Sequence, residues 1–301
     1  MGPLLFNIFI NDLFLFIQET EICNFADDNT LYACADTFEK VVSKLNTDTT
    51  IVTEWFKSNS LVANPGKFQV MFLGTKDIIP IAMNICGKFI LVLDQVKLLG
   101  VTIDNKLSFT PHIKLLCNTS DNKTSTLLRH RNSMSSTQAS VLFNSYILSQ
   151  FLYCPLIWTF CSKSDRHLID RTHKRALRAV SNDFSLDMHQ LLTENKGVYI
   201  HTKHLQLLMI EVFKTVNELN PELLWELFKL KKTTICDRRC HQNLVLPPTR
   251  TITYGTNSLL YNASALWNNL HNKFKCLESL SMFKDKIKSW YGAECKCNLC
   301  K

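Results

Sequence analysis

Residues 22–32 read "ICNFADDNTLY". Two adjacent carboxylates, Asp27 and Asp28, sit between two short apolar, β-prone runs. That pattern predicts a β-hairpin with the aspartates at its tip. Asp-Asp-Asn is good turn chemistry in its own right and needs no further purpose. Adjacent carboxylates also repel each other, and a divalent metal removes that repulsion; Mg²⁺ typically takes one or two carboxylates together with substrate phosphates. The stretch alone leaves both readings open.

Working outward, residues 4–17 form a short helix rich in Leu, Phe and Ile. After the hairpin, 36–58 reads as an amphipathic helix. Asp36 and Glu39 give a capping-box-like start, and Phe38, Val41, Val42, Leu45, Val52, Trp55 and Phe56 recur at helical spacing. "NPG" at 64–66 closes that segment. Residues 68–73 read as a strand, 78–85 and 89–93 as a pair around Gly87, and 97–103 as a further β run holding Gly100. The first ~105 residues are therefore an α+β layer, an antiparallel sheet with helices on one face.

The 301 residues are 46% apolar and 20% charged, which excludes a disordered chain. The net charge of +8 suits a polyanionic partner without requiring one. Twelve cysteines are too sparse for a disulfide-built secreted domain, and eight glycines speak against a dinucleotide-binding fold. Neither the apolar start nor residues 145–160 makes a convincing signal or membrane span. The expected setting is intracellular, nucleus or cytoplasm, with no membrane partner and reduced thiols. Cys117, Cys154 and Cys161 read as buried thiols.

Beyond residue 110 strand signals become rare. Residues 112–131, 136–153, 165–180, 201–217 and 221–230 read as helices, with polar breaks at 120–125 and 181–185. Residues 253–259 read as loop or short strand, and 283–290 as a last helix. In "DRHLIDRTHKRALRAV" (165–180), Leu168, Ile169, Thr172, Ala176 and Val180 share one face. Arg171, Lys174, Arg175 and Arg178 share the opposite one. Such a basic stripe either tracks a phosphate backbone or is simply the solvated side of a core helix.

The ordered set "GPLLFNIFINDL" (2–13), "FADD" (25–28), "NPGKFQVMFLG" (64–74) and "KLLGVTIDNKLSFTPHI" (97–113) resembles the palm of reverse transcriptases from non-LTR, LINE-type retrotransposons. Residues 149–180, 253–270 and the closing "CKCNLCK" resemble the rest of that reading frame. The resemblance implies a partial palm over 1–110, a helical thumb or linker over 111–232 and a C-terminal region over 233–301. Asp27 then corresponds to the metal ligand, with Asp28 beside it and Mg²⁺ as the ion. Phe25 and Ala26 would lie beneath the primer end. Gly2, Pro3 and Leu4 would lie against template and incoming nucleotide. Lys67 would sit near the leaving pyrophosphate, and Leu99 and Gly100 in a hairpin gripping the primer. The implied partners are an RNA template and a DNA primer, and the basic 165–180 helix falls where a thumb or linker would meet the duplex.

The family's catalytic core uses a further aspartate upstream of "GPLLF". The resemblance therefore implies that these 301 residues alone do not polymerise. Asp12 reads as a surface or capping residue, not a substitute. The alternatives are a non-catalytic nucleic-acid-binding or interaction remnant of a decayed element, and a soluble protein with no nucleic-acid role. Finally, Cys295, Cys297 and Cys300 form C-x-C-x2-C, which reads either as an unstructured, redox-sensitive tail or as a candidate zinc site that still needs a fourth ligand. Cys276, Cys236, Cys240 and His241 are the candidates. His201 and His204 read as interfacial helix residues.

Overall fold

The computed structural model describes residues 1–74, 82–85, 87–231, 243–297 and 300. The chain falls into two compact units, Met1–Leu107 and Ser108–Lys301.

In the first unit, helix α1 (Gly2–Ile10) carries Pro3 in its first turn, where a missing N–H costs nothing, and runs on as a 3₁₀ turn over Asn11–Leu15. Strands β1 (Glu21–Phe25) and β2 (Asp28–Tyr32) pair antiparallel with Phe25 opposite Asp28, so only Ala26 and Asp27 make the connection. Helix α2 (Phe38–Ser58) starts two residues later than the 36–58 the sequence suggests. Its cap is the Thr37 hydroxyl, which accepts from the Lys40 N–H, in place of the Asp36–Glu39 pair. Ile10, Leu13, Val52 and Trp55 form a core with Ile22 and Leu31, so both strands of the hairpin are seated on α1 and α2.

The remaining strands form separate hairpins, not one continuous sheet: β3 (Ala82–Ile85) with β4 (Lys88–Leu91), and β5 (Gln95–Leu98) with β6 (Val101–Asp104). The expected strand at 68–73 is not one. It makes a single parallel bridge, Val70 to Val92, while Phe72 packs with Met83, Ile85 and Ile90. Residues 75–81 and 86, part of the expected 78–85 strand and its turn, lie outside the described residues.

The second unit is helical. Helix α3 (Thr110–His130) continues straight through the polar 120–125 run. The hydroxyls of Thr124, Ser125 and Thr126 donate back to the carbonyls of Ser120, Asp121 and Asn122. Such back-bonding satisfies a hydroxyl without breaking the helix, so Thr124 can be buried; the buried Ser120 hydroxyl donates instead to Gln150 Oε1 at 3.2 Å. Helix α4 (Ser136–Leu142), capped by a Ser135–Gln138 box, passes through a π-helical turn (Phe143–Leu148) into α5 (Ser149–Phe151). Then follow α6 (Pro155–Trp158), α7 (Lys163–Ser181) and α8 (Met188–Glu194). Helix α9 (Ile200–Val216) is followed by a 3₁₀ turn at Glu222–Leu227, where the sequence predicts an α-helix. The chain closes with α10 (Leu259–Asn269), α11 (Asn272–Lys275) and α12 (Leu280–Ile287).

Two cores hold this unit. In one, α3 lies along α7 around Phe151, Trp158, Ile169 and Leu177; in the other, α9, α10 and α12 enclose Phe213, Trp267, Phe283 and Trp290. Each fully buried large apolar side chain stabilises by about 1.5–3 kcal/mol. No helix among the described residues is long and apolar enough to cross a membrane.

Candidate functional site

The aspartate turn is built by its strands. The β1–β2 register leaves two residues to reverse the chain, and Ala26 does so with φ of 53°. That left-handed conformation costs an L-residue about 1–2 kcal/mol. Asp27 lies at the tip, where the Asn29 amide donates to its carbonyl at 3.2 Å, and Asp28 opens β2. Both are exposed, as are Ala26 and Phe25, the last with two-thirds (66%) of its surface bare. Neither aspartate has an ion-pair partner among the described residues. Below the tip, Asn24 faces Asn29 across the ladder, and amide atoms of both are buried without hydrogen-bond partners.

The hairpin is anchored at its root by a residue that no sequence motif marks. Asp48 of α2 is fully buried, and its carboxylate accepts from the N–H groups of Gln18, Glu19 and Thr20 at 3.1, 2.9 and 2.6 Å. The Thr20 hydroxyl donates at 2.7 Å. Burial pushes this carboxyl upward, but the four hydrogen bonds outweigh it and hold it below the usual carboxylate range.

The other positions singled out from sequence lie on separate turns of the same unit. Gly2 and Pro3 are exposed in the first turn of α1, and Asp12 is an exposed residue of the 3₁₀ turn. Lys67 is exposed at the end of a 3₁₀ turn (Pro65–Lys67) where the Asn64 side chain accepts from the Gly66 N–H. Leu99 and Gly100, with φ of 46° and 85°, make the two-residue turn between β5 and β6. Positive φ at both positions matches the right-handed twist of a hairpin. Gln69 accepts from the Lys97 N–H, tying the chain after Lys67 to β5.

On α7 the predicted faces are realised: Ile169, Thr172, Ala176 and Val180 are buried, and Arg171 and Arg175 are exposed. The four cations nevertheless differ. Arg175 pairs with Asp121 at 2.9 Å and donates to Ser125, and Arg178 donates twice to the Leu186 carbonyl. Arg171 and Lys174 have no hydrogen bond or ion pair among the described residues.

The C-terminal thiols come together around a histidine. The ligand atoms of His201, Cys295, Cys297 and Cys300 all lie within 4.8 Å of one another. Cys297 Sγ is 3.6 Å from His201 Nε2. The fourth member of the cluster is thus the α9 histidine, read from sequence as an interfacial residue; Cys276 is not in the cluster. Cys236, Cys240 and His241 lie outside the described residues. Hydrogen bonds from the Cys295 and Cys300 thiols draw Cys297 well below the ordinary thiol range, and the same bonding with Cys297 pushes Cys295 up. Thiols elsewhere behave as plain buried groups: burial pushes Cys117 up to about 11 and Cys161 to about 12. Cys154 is half-buried. His204 is an interior residue, its Nε2 2.7 Å from the Phe151 carbonyl.

With this geometry in place, comparison with known proteins shows what the chain is similar to. Residues 1–103 match the family model described as "Reverse transcriptase (RNA-dependent DNA polymerase)", and the aspartate turn lies inside that match. The match falls within the first unit, which is thus similar to reverse-transcriptase sequence and has an α+β fold. The chain is also 25% identical over 194 residues to "Probable RNA-directed DNA polymerase from transposon BS" of Drosophila melanogaster. That likeness covers 60% of this chain, more than the first unit holds, so it continues into residues 108–301. The chain spans 21% of that relative's length. No solved structure matches the chain.

Proposed function

We propose that the aspartate turn is one side of the metal centre of an RNA-directed DNA polymerase, and that the second unit supplies thumb and C-terminal region. The observation that carries this reading is the exposed Asp27–Asp28 pair at a strained hairpin tip inside the reverse-transcriptase match. The donor set fits Mg²⁺: hard carboxylate oxygens, solvent-facing, without a cation of their own. Bound there, Mg²⁺ would polarise a nucleotide's phosphoryl group and favour attack by a primer 3′-hydroxyl.

The chain's residues account for the rest of the arrangement. Asp27 and Asp28 would hold the ion, while the Asn29 amide's bond to the Asp27 carbonyl steadies the tip and the Asp48 anchor steadies the segment that leads into β1. Phe25, Ala26, Gly2, Pro3, Leu99 and Gly100 offer exposed surface to template and primer. Lys67 is the candidate proton donor to the leaving pyrophosphate. A two-metal centre draws on more carboxylates than this turn supplies, and no third acidic, thiol or imidazole group joins the pair among the described residues. The 301 residues alone should therefore bind template–primer without extending it. Copying nucleic acid places this work inside the cell.

The experiment is binding of an RNA template–DNA primer duplex to the purified chain, with and without Mg²⁺. The expected result is Mg²⁺-dependent tightening of several-fold, which Asp27→Asn removes while raising metal-free affinity, together with no primer extension. Equal Mg²⁺ response in the wild type and Asp27→Asn overturns the metal turn. Robust extension overturns the inactivity. Binding that ignores Mg²⁺ altogether leaves the second reading, a non-catalytic nucleic-acid-binding remnant, which the unpaired Arg171 and Lys174 on α7 favour.

A further inference from the structure

The closing thiols are delivered to α9 by features that have nothing to do with sulfur. Gln206, on α9, donates to the carbonyls of Lys288 and Trp290 at 3.1 and 2.9 Å, fixing the exit from α12. Gly292 follows with φ of 76°, and a Cβ there would come within 2.9 Å of Leu205. Only a glycine lets the chain turn that closely against α9. Trp290 Nε1 donates to Glu294, and the Cys295 N–H to the Gly292 carbonyl. The tail therefore runs along one side of α9 and reaches His201, in that helix's first turn. His201, Cys295 and Cys297 are all buried at 4–9% exposure.

The thiol–imidazole spacing fits one edge of a tetrahedral ion. Zn–S bonds of about 2.3 Å and Zn–N bonds of about 2.0–2.1 Å put a thiolate sulfur and an imidazole nitrogen about 3.6 Å apart across a tetrahedral edge. Cys297 Sγ and His201 Nε2 are separated by 3.6 Å. Four protein ligands leave no open position, which is the pattern of a structural and not a catalytic zinc. Zn²⁺ with three thiolates and a neutral imidazole carries a net charge of −1. Arg166, whose Nε pairs with Asp170 at 3.0 Å, lines a small cavity beside His201, and its Nη1 is buried with no hydrogen-bond partner among the described residues.

We infer that His201, Cys295, Cys297 and Cys300 bind one Zn²⁺, and that this ion staples the C-terminal tail to α9. Binding displaces the thiol protons to solvent and changes no oxidation state. The site does not depend on the polymerase reading of the first unit.

The test uses the full 301-residue chain, reduced, equilibrated with Zn²⁺ and separated from unbound metal. About one zinc per chain is expected. Co²⁺ in its place should give visible tetrahedral d–d absorption with near-ultraviolet thiolate charge transfer. Cys297→Ser and His201→Ala should each lower zinc affinity about tenfold or more. Cys276→Ser should leave it unchanged. Should His201→Ala fail to fold, His201→Cys decides: it should keep about one zinc and shift the Co²⁺ bands toward those of a four-thiolate site. A reduced wild type without zinc, an unchanged Co²⁺ spectrum in His201→Cys, or loss of zinc in Cys276→Ser overturns the assignment.

Discussion

At the scale of single residues, Asp48 determines whether the aspartate turn is held in place. One carboxylate collects three backbone N–H groups and a hydroxyl from residues 18–20, the segment that leads into β1. Removing it leaves those donors buried and unmet. Asp48→Ala should destabilise the first unit by about 3 kcal/mol, and Asp48→Asn by less because it keeps the shape and loses the charge. Urea unfolding followed through Trp55, which is buried in the same unit, reads the effect. Since this carboxyl is held below its ordinary range in the folded state, its contribution is complete at neutral pH. It is lost only as pH falls through the depressed folded value. Asp27 and Asp28 stand out in the sequence because they are adjacent and flanked by β runs. Asp48 does not, because its partners lie about thirty positions away and are mostly backbone groups.

At the scale of elements, α7 separates a binding face from a packing face more finely than its helical period does. The sequence places four cations on one stripe, but the fold employs Arg175 and Arg178 to hold α3 and the 181–187 loop. Arg171→Ala with Lys174→Ala should therefore weaken binding to RNA or DNA and lower the salt slope by about 1 for each phosphate these side chains neutralise, with stability unchanged. Arg175→Ala and Arg178→Ala should instead cost about 0.5–1 kcal/mol of stability. Salt titrations of binding and urea melts of the four variants separate the two outcomes. The same contrast explains which elements are legible in the sequence. The β1–β2 hairpin and α7 follow from local period and capping. The unbroken α3 does not, because back-bonded hydroxyls look like a polar break in composition. Helix α10 is hidden too, although Ser258 caps it by accepting from the Tyr261 N–H, a start signal masked by the loop-like residues before it. The histidine beside the thiols is invisible to local pattern because it stands 96 positions from Cys297.

At the scale of the whole molecule, the two units carry different acid-sensitive groups and should respond to acid at different pH. In Ser108–Lys301, His173 is buried, stacked on Phe143 with its ring centroid 6.0 Å away, and its Nδ1 has no hydrogen-bond partner among the described residues. Burial drives its pKa down to about 4, whereas an unfolded histidine titrates near about 6.5. As pH falls from the unfolded value toward the folded one, the unfolded state takes up a proton that the folded state refuses. Stability of this unit is complete above the unfolded value and declines across that window, by on the order of 1 kcal/mol per pH unit. In Met1–Leu107 the lowered carboxyl of Asp48 keeps its contribution through the same window and loses it only at lower pH. Acid should therefore open residues 108–301 first. Limited proteolysis at stepped pH should yield early cuts confined to that unit, with residues 1–107 still protected near pH 4–5. His173→Leu should weaken, though not abolish, the acid response of the second unit, because burial also pushes His204 down to about 3 and lowers His112, and it should leave the first unit's response unchanged. Simultaneous opening of both units, or an unaltered acid response in His173→Leu, would show that the buried imidazole does not set the order.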